Sequence, residues 1–193
     1  MAVTSTMLAL GTQAPDFKLT DTVSGRPVSL SDFDDQQALL VMFICTHCPY
    51  VQHVRTELAR IGRDYQGTGL GIVAISSNDP ESHPEDSPEN LRAEAEAQGY
   101  LFPFLFDEDQ EVAAAFTAMC TPDFFLFGPE RTLVYRGQLD DSRPANEHPV
   151  TGADLRSAID AVLSGGEVSP DQRPSMGCSI KWKSGNTPAY FTR

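Results

Sequence analysis

Apolar residues are densest over residues 38–44, ALLVMFI, a run with no charged side chain. A short unbroken apolar run reads as a strand buried on both faces. Directly after it the period changes: Val51, Val54, Leu58 and Ile61 recur at helical spacing. A helix is therefore predicted over about 49–65, with Pro49 at a first helical position and Gly67 and Gly69 ending it. Residues 70–76 repeat the buried-strand pattern. Ser87-Pro88-Glu89-Asn90 opens a helix to about residue 98, capped by Ser87. Residues 102–106 predict a short strand and 111–118 a short helix. Residues 123–127 and 132–136 flank a four-residue turn and predict an antiparallel strand pair. Residues 151–164 read as a last helix that ends at Gly165-Gly166.

Upstream of the central run, residues 16–20 and 27–30 alternate around Ser24-Gly25 and predict a hairpin. Ser31 and Asp32 are expected to cap a helical turn. Residues 1–15 read as a loose lead-in. Residues 78–89 carry three prolines and five acids and read as a solvated loop. Alternating strands and helices predict an α/β protein, a mixed central sheet with helices on both faces. Residues 1–166 are expected to form one domain that includes the hairpin. Residues 167–193 show no clear period and read as an irregular tail, folded back on the domain or not.

The chain has 193 residues, enough for one domain with a sizeable core. Its net charge of −13 argues against nucleic acid or an anionic membrane surface as a partner. Apolar runs fall short of the roughly 20 residues of a membrane span, and the first residues lack the basic segment of a secretory signal. A cytoplasmic protein is expected. Four cysteines in a chain of this size do not make a disulfide scaffold. In a reducing compartment a C-x-x-C pair points to redox chemistry or metal.

That pair is Cys45-Thr46-His47-Cys48, placed between the buried strand and the helix. The amino end of a helix stabilises a thiolate through its free N–H groups and its dipole. Cys45 is expected to be the more exposed, low-pKa thiol and Cys48 its partner. His47 adds positive charge beside them. Thr121-Pro122 stands just before a predicted strand, a position for a cis bond. A second close Cys/His pair to complete a zinc tetrahedron is lacking, so neither a metal nor another cofactor is expected.

These stretches carry a resemblance. Residues 11–17 with their hairpin, FICTHCPY, VAISSND, CTPDFFLF and YRGQLDDSRP resemble the thioredoxin superfamily, in the peroxiredoxin-like and TlpA-like branch related to AhpC/TSA. The likeness covers about residues 11–144. It implies a thioredoxin-like fold and thiol–disulfide oxidoreductase activity through Cys45 and Cys48, with His47 tuning them. Thr121 and Pro122 would bind an extended substrate by its backbone. The implied partners are disulfide-containing proteins or a thioredoxin-type reductant. Cys120 and Cys178 are candidate auxiliary thiols, and Asp140, Asp141 and Arg143 candidate tuning residues in the loop after the last strand. Two alternatives stand beside exchange. One is a thiol peroxidase, although P-x-x-x-T-x-x-C counted back from Cys48 meets Cys45 and Val41. The other is a Sco-like copper or zinc metallochaperone, although that family spaces its cysteines one residue further apart. The strand 38–44 supplies no buried acid to accept a proton from Cys48.

Overall fold

The computed structural model describes residues 2–191. Ten strands and four helices run in the order β1 (Ala2–Thr4), β2 (Lys18–Asp21), β3 (Pro27–Ser29), β4 (Ala38–Phe43), α1 (Pro49–Asp64), β5 (Leu70–Ser76), α2 (Pro88–Gln98), β6 (Phe104–Phe106), α3 (Glu111–Ala115), β7 (Cys120–Thr121), β8 (Asp123–Phe127), β9 (Leu133–Gly137), α4 (Ala153–Leu163) and β10 (Met176–Ser179). Seven strands form one sheet in the order β3-β2-β6-β5-β4-β8-β9. β4 is parallel to β5 and antiparallel to β8, and β5 is parallel to β6. The sheet is mixed, and the fold is thioredoxin-like.

β4 lies at the centre, and all six of its residues are buried. Its period of two sends Leu40 and Met42 to the face that packs against Val51, Leu58 and Ile61 of α1 and Leu155 and Ile159 of α4. Leu39, Val41 and Phe43 face the other side, where Phe116, Phe125 and Phe127 pack edge to face. Burial on both faces is why the sequence shows a continuous apolar run rather than alternation. Among the described residues no helix is long and apolar enough to cross a membrane.

The helices start and stop near their predicted ends. Ser87 Oγ accepts from Asn90 N–H at 3.4 Å and caps α2, which ends at Gly99 in the left-handed conformation, φ 66°. The turn before β4 is capped differently from expectation. Ser29 is its cap, and the Asp32 carboxylate reaches back to Ser29 N–H at 2.7 Å. α1 and α4 are joined by the buried Glu57, which pairs with Arg156 at 2.7 Å and with Arg60 at 3.0 Å.

Both ends of the chain depart from their sequence reading. The lead-in contributes β1 and the tail contributes β10, and with β7 they form a separate sheet in the order β1-β10-β7. β10 is only four residues, MGCS, too short and too poor in branched residues to show a period. It is a strand because it finds edges to pair with on both sides.

Candidate active site

β4 delivers the chain to the dithiol. Ile44 N–H still donates to Ile75 O at 3.0 Å, Cys45 follows in a loop, and Cys48 is the N-cap of α1 in an extended conformation. Pro49 then opens the helix, as its fixed φ and absent N–H allow. Facing the pair is Thr121, the last residue of β7, followed by a cis bond to Pro122. Thr121 touches both sulfurs: its Oγ1 lies 3.3 Å from Cys45 Sγ, and its carbonyl oxygen accepts from the Cys48 thiol at 3.0 Å. Both cysteines are buried, at 1% and 0% exposure, so Cys45 is not the exposed sulfur that its place in the motif suggests.

The two thiols do not ionise independently. Burial, the hydrogen bond to Cys48 and the nearby Asp86 carboxylate push Cys45 well up. Cys48 is brought down to about 4 by the Cys45 thiol, against the cost of burial, with help from the Cys178 thiol and the Val51 N–H it faces as N-cap. The pair shares its ionisation, and of the two sulfurs Cys48 is the one placed at the N-cap of α1. The helix end favours the sulfur nearest its free N–H groups, and Asp86 disfavours charge at the other. One proton serves the pair. With it on Cys45, the Cys48 thiolate draws on Val51 and Cys178. With it on Cys48, that thiol donates to Thr121 O, and the Cys45 thiolate can accept from Thr121 Oγ1.

His47 stands between Cys45 and a carboxylate. Its Nδ1 lies 3.9 Å from Cys45 Sγ but 2.5 Å from Asp86 Oδ2. Asp86 is fully buried and anchors the whole motif: Oδ1 accepts from Thr46 N–H and Thr46 Oγ1, each at 2.8 Å, and Oδ2 accepts from Asn78 Nδ2 at 2.7 Å. Those bonds overcome burial and hold its carboxyl down at about 2. The His83 ring packs on His47 with centroids 4.9 Å apart. Asp86 and His83 both come from the stretch read as a solvated loop. Its density of proline and acid hid one buried carboxylate among several exposed ones. The nearest signal in the sequence is Pro84, which opens a short helical turn over Pro84–Asp86.

Cys45 Sγ, a His47 ring nitrogen and an Asp86 oxygen lie within 4.8 Å of one another. This donor set is one that zinc or copper accepts, and Asp86 is the ligand the sequence reading lacked.

Cys120 is buried with its thiol 3.6 Å from Pro122 O, and burial with the Asp123 carboxylate pushes it well up. Cys178, by contrast, sits in β10 directly opposite Thr121. Asp140 and Arg143 hold their own loop. The Asp140 carboxylate accepts from Thr151 N–H and Gly152 N–H, each at 2.7 Å, and so seats the start of α4. Arg143 donates to Asp140 O, Ser142 O and Gln138 Oε1. Asp141 pairs with His148 at 3.5 Å on the surface. The hydrogen bonds of these three residues go to the loop and to α4; Asp140 and Arg143 also line the cavity beside Pro122.

A buried acid stands on the neighbouring strand. Asp123 opens β8 opposite Phe43 of β4 and is fully buried; its Oδ2 accepts from Met119 N–H at 3.5 Å, and Oδ1 has no hydrogen-bond partner among the described residues. Burial pushes it up to about 7. A raised carboxyl pKa means that the folded state holds the proton more tightly than the unfolded chain, so this group costs stability as pH rises from about 4 through about 7. Asp123→Asn is expected to remove that slope and to gain stability on the order of a few kcal/mol at pH 8, measured by denaturant unfolding across pH. Reduced Cys48 has the opposite sign over an overlapping range, so the readout is the difference between variant and wild type. A difference that stays flat between pH 4 and 7 would refute the assignment.

Known proteins share this frame. A conserved protein of Geobacillus kaustophilus of known structure is 55% identical, with a TM-score of 0.93 over 95% of this chain and 97% of its own. A Mycobacterium tuberculosis protein with a provisional peroxiredoxin name is 32% identical over 114 residues, 59% of this chain and 67% of its own. The thiol-disulfide oxidoreductase ResA of Geobacillus thermodenitrificans is 30% identical over 123 residues, 63% of this chain and 64% of its own. The relatives that carry functional names are thiol redox proteins, and residues 10–136, from the segment before the hairpin to the penultimate residue of β9, match the AhpC/TSA family model: the chain belongs to the AhpC/TSA family.

Proposed function

We propose that the protein is a thiol–disulfide oxidoreductase that works through Cys45 and Cys48. The observation that carries this reading is that one residue, Thr121, contacts both sulfurs, through its hydroxyl at 3.3 Å and its carbonyl at 3.0 Å. That arrangement supports either sulfur as the charged one and needs no further group to move the proton between them. Cys45, on the loop side beside His47, attacks a substrate disulfide as thiolate and forms a mixed disulfide. Cys48 then attacks the Cys45 sulfur and releases the substrate thiol. Both sulfurs are held in one turn, so the second step is intramolecular.

The substrates of this reading are protein disulfides, and a thioredoxin-type reductant would return the pair to the dithiol. Thr121 and Pro122 remain the proposed substrate-binding residues, but the outer edge of Thr121 is already paired with β10, so a substrate strand adds there only when β10 leaves. The test is a redox equilibration in glutathione buffers with thiol counting, disulfide mapping, metal analysis and a peroxide-consumption assay. The expected result is reversible loss of the Cys45 and Cys48 thiols, reduction of a protein disulfide and substoichiometric metal. Stoichiometric zinc or copper would instead favour the Cys45, His47 and Asp86 donor set, and rapid peroxide turnover would favour a peroxidase.

A further inference from the structure

The tail places a third thiol in the dithiol site, in the position where a substrate strand would lie. β10 runs antiparallel to β7, with Cys178 opposite Thr121 and Ser179 opposite Cys120. Its other edge is held by β1, with Ala2 opposite Cys178. The fit against β7 is close. A Cβ on Gly177 would stand 2.0 Å from Thr121 O, so only glycine lets the tail lie flat on this carbonyl. That carbonyl is the one that accepts from Cys48. Cys178 packs against the cluster that contains Cys45 and Cys48, and the Cys48 and Cys178 thiols bear on each other's ionisation. Cys178 is only partly buried, the one cysteine of the four that is not fully enclosed.

We propose that Cys178 is a redox residue in cis: presented by β10 as a built-in substrate strand, its thiolate attacks the Cys48 sulfur of the oxidised Cys45–Cys48 pair and forms a Cys48–Cys178 disulfide. The step balances. The Cys45–Cys48 bond breaks as the Cys48–Cys178 bond forms, Cys45 leaves with the electron pair as a thiolate, and the proton from Cys178 goes to solvent or to Cys45. No oxidant is consumed beyond the one that made the first disulfide. In the reduced protein, burial and Cys48 push Cys178 up to about 11. Once Cys48 is in a disulfide its charge is gone, and that cause goes with it, so the attacking thiolate forms more readily in the state that uses it. The consequence is a freed Cys45 beside His47 while Cys48 is tied to the tail. This inference rests on the proposed exchange reaction.

The experiment is disulfide mapping by peptide mass spectrometry after equilibration with oxidised glutathione, on wild type, Cys178→Ser and Cys45→Ser. In Cys45→Ser, glutathione caps Cys48, Cys178 displaces it, and two thiols are lost as a Cys48–Cys178 linkage with release of reduced glutathione. Wild type is expected to contain both Cys45–Cys48 and Cys48–Cys178, and Cys178→Ser only the first. If wild type forms Cys45–Cys48 but Cys45→Ser retains glutathione on Cys48 and wild type shows no link to Cys178, the exchange reading stands and the role of Cys178 is overturned. If wild type forms no Cys45–Cys48 disulfide at all, the exchange reading itself fails and the role of Cys178 falls with it.

Discussion

Cys45→Ser is expected to bring disulfide exchange down to the uncatalysed level, and Cys48→Ser to leave the first attack intact but stop turnover at a mixed disulfide. The asymmetry follows from the proposed order of attack. Serine at 45 removes the sulfur that reaches the substrate, and a hydroxyl is no substitute because only a thiolate attacks at neutral pH. Serine at 48 removes the internal resolving group. A well-oriented internal nucleophile acts at an effective concentration of roughly 10⁵ M or more, far above any cellular thiol, so release of the trapped substrate slows by several orders of magnitude. Reduction of a protein disulfide gives the first readout, and non-reducing gels with mass analysis give the second. Cys45→Ser with activity near wild type would overturn the assignment of the attacking sulfur. Rapid turnover in Cys48→Ser would do the same for the resolving one, unless adding Cys178→Ser removes it, in which case the tail thiol has taken over.

Much of this site was legible in the sequence because its signals are local. Cys45, Cys48 and Pro49 stand within five residues, and the change from an unbroken apolar run to helical spacing falls across them. Strand β4 identified itself because burial on both faces leaves only apolar residues. Thr121 was found at long range, through the X-Pro bond before a strand. What escaped was set by pairing in space. β1 and β10 are too short to have a pattern and exist only through each other and β7. Asp86 has ordinary acids and prolines around it, and nothing in a row of five acids says which one turns inward. Asp123 was visible as an acid at the start of an apolar strand, but its enclosure depends on β4 and the tail.

The same distinction bears on the ionisation of the dithiol. Sequence places both cysteines near a helix amino end and a histidine between them, and from that the first cysteine is the natural thiolate. The structure adds two facts that work against it. Cys48, not Cys45, is the N-cap, and the histidine is engaged by a buried carboxylate whose charge bears on Cys45. The partners of the two cysteines, Asp86 and Thr121, lie far from them in the chain.

Asp86 is accordingly the residue outside the dithiol whose loss should matter most. Its carboxylate bonds Thr46 N–H, Thr46 Oγ1, Asn78 Nδ2 and His47 Nδ1 at distances from 2.5 to 2.8 Å, and it is fully buried. Asp86→Ala leaves a backbone N–H, an amide and an imidazole without an acceptor, and is expected to cost about 3 kcal/mol of stability, read from denaturant unfolding at pH 7. A carboxyl held near 2 contributes stability that is full above about 4 and is lost as pH falls through about 2, so the gap between variant and wild type should close over that range. Asp86→Asn separates charge from contact. It keeps an oxygen for Thr46 N–H but removes the negative charge that pushes Cys45 up, so Cys45 should ionise at lower pH. The cleanest measurement is the thiolate ultraviolet absorbance against pH in a Cys48→Ser/Cys178→Ser background, where neither neighbouring thiol overlaps the titration of Cys45. A midpoint for Cys45 that stays put in Asp86→Asn, together with unchanged unfolding in Asp86→Ala, would show that the buried carboxylate neither holds the C-x-x-C loop nor sets the reactivity of its first cysteine.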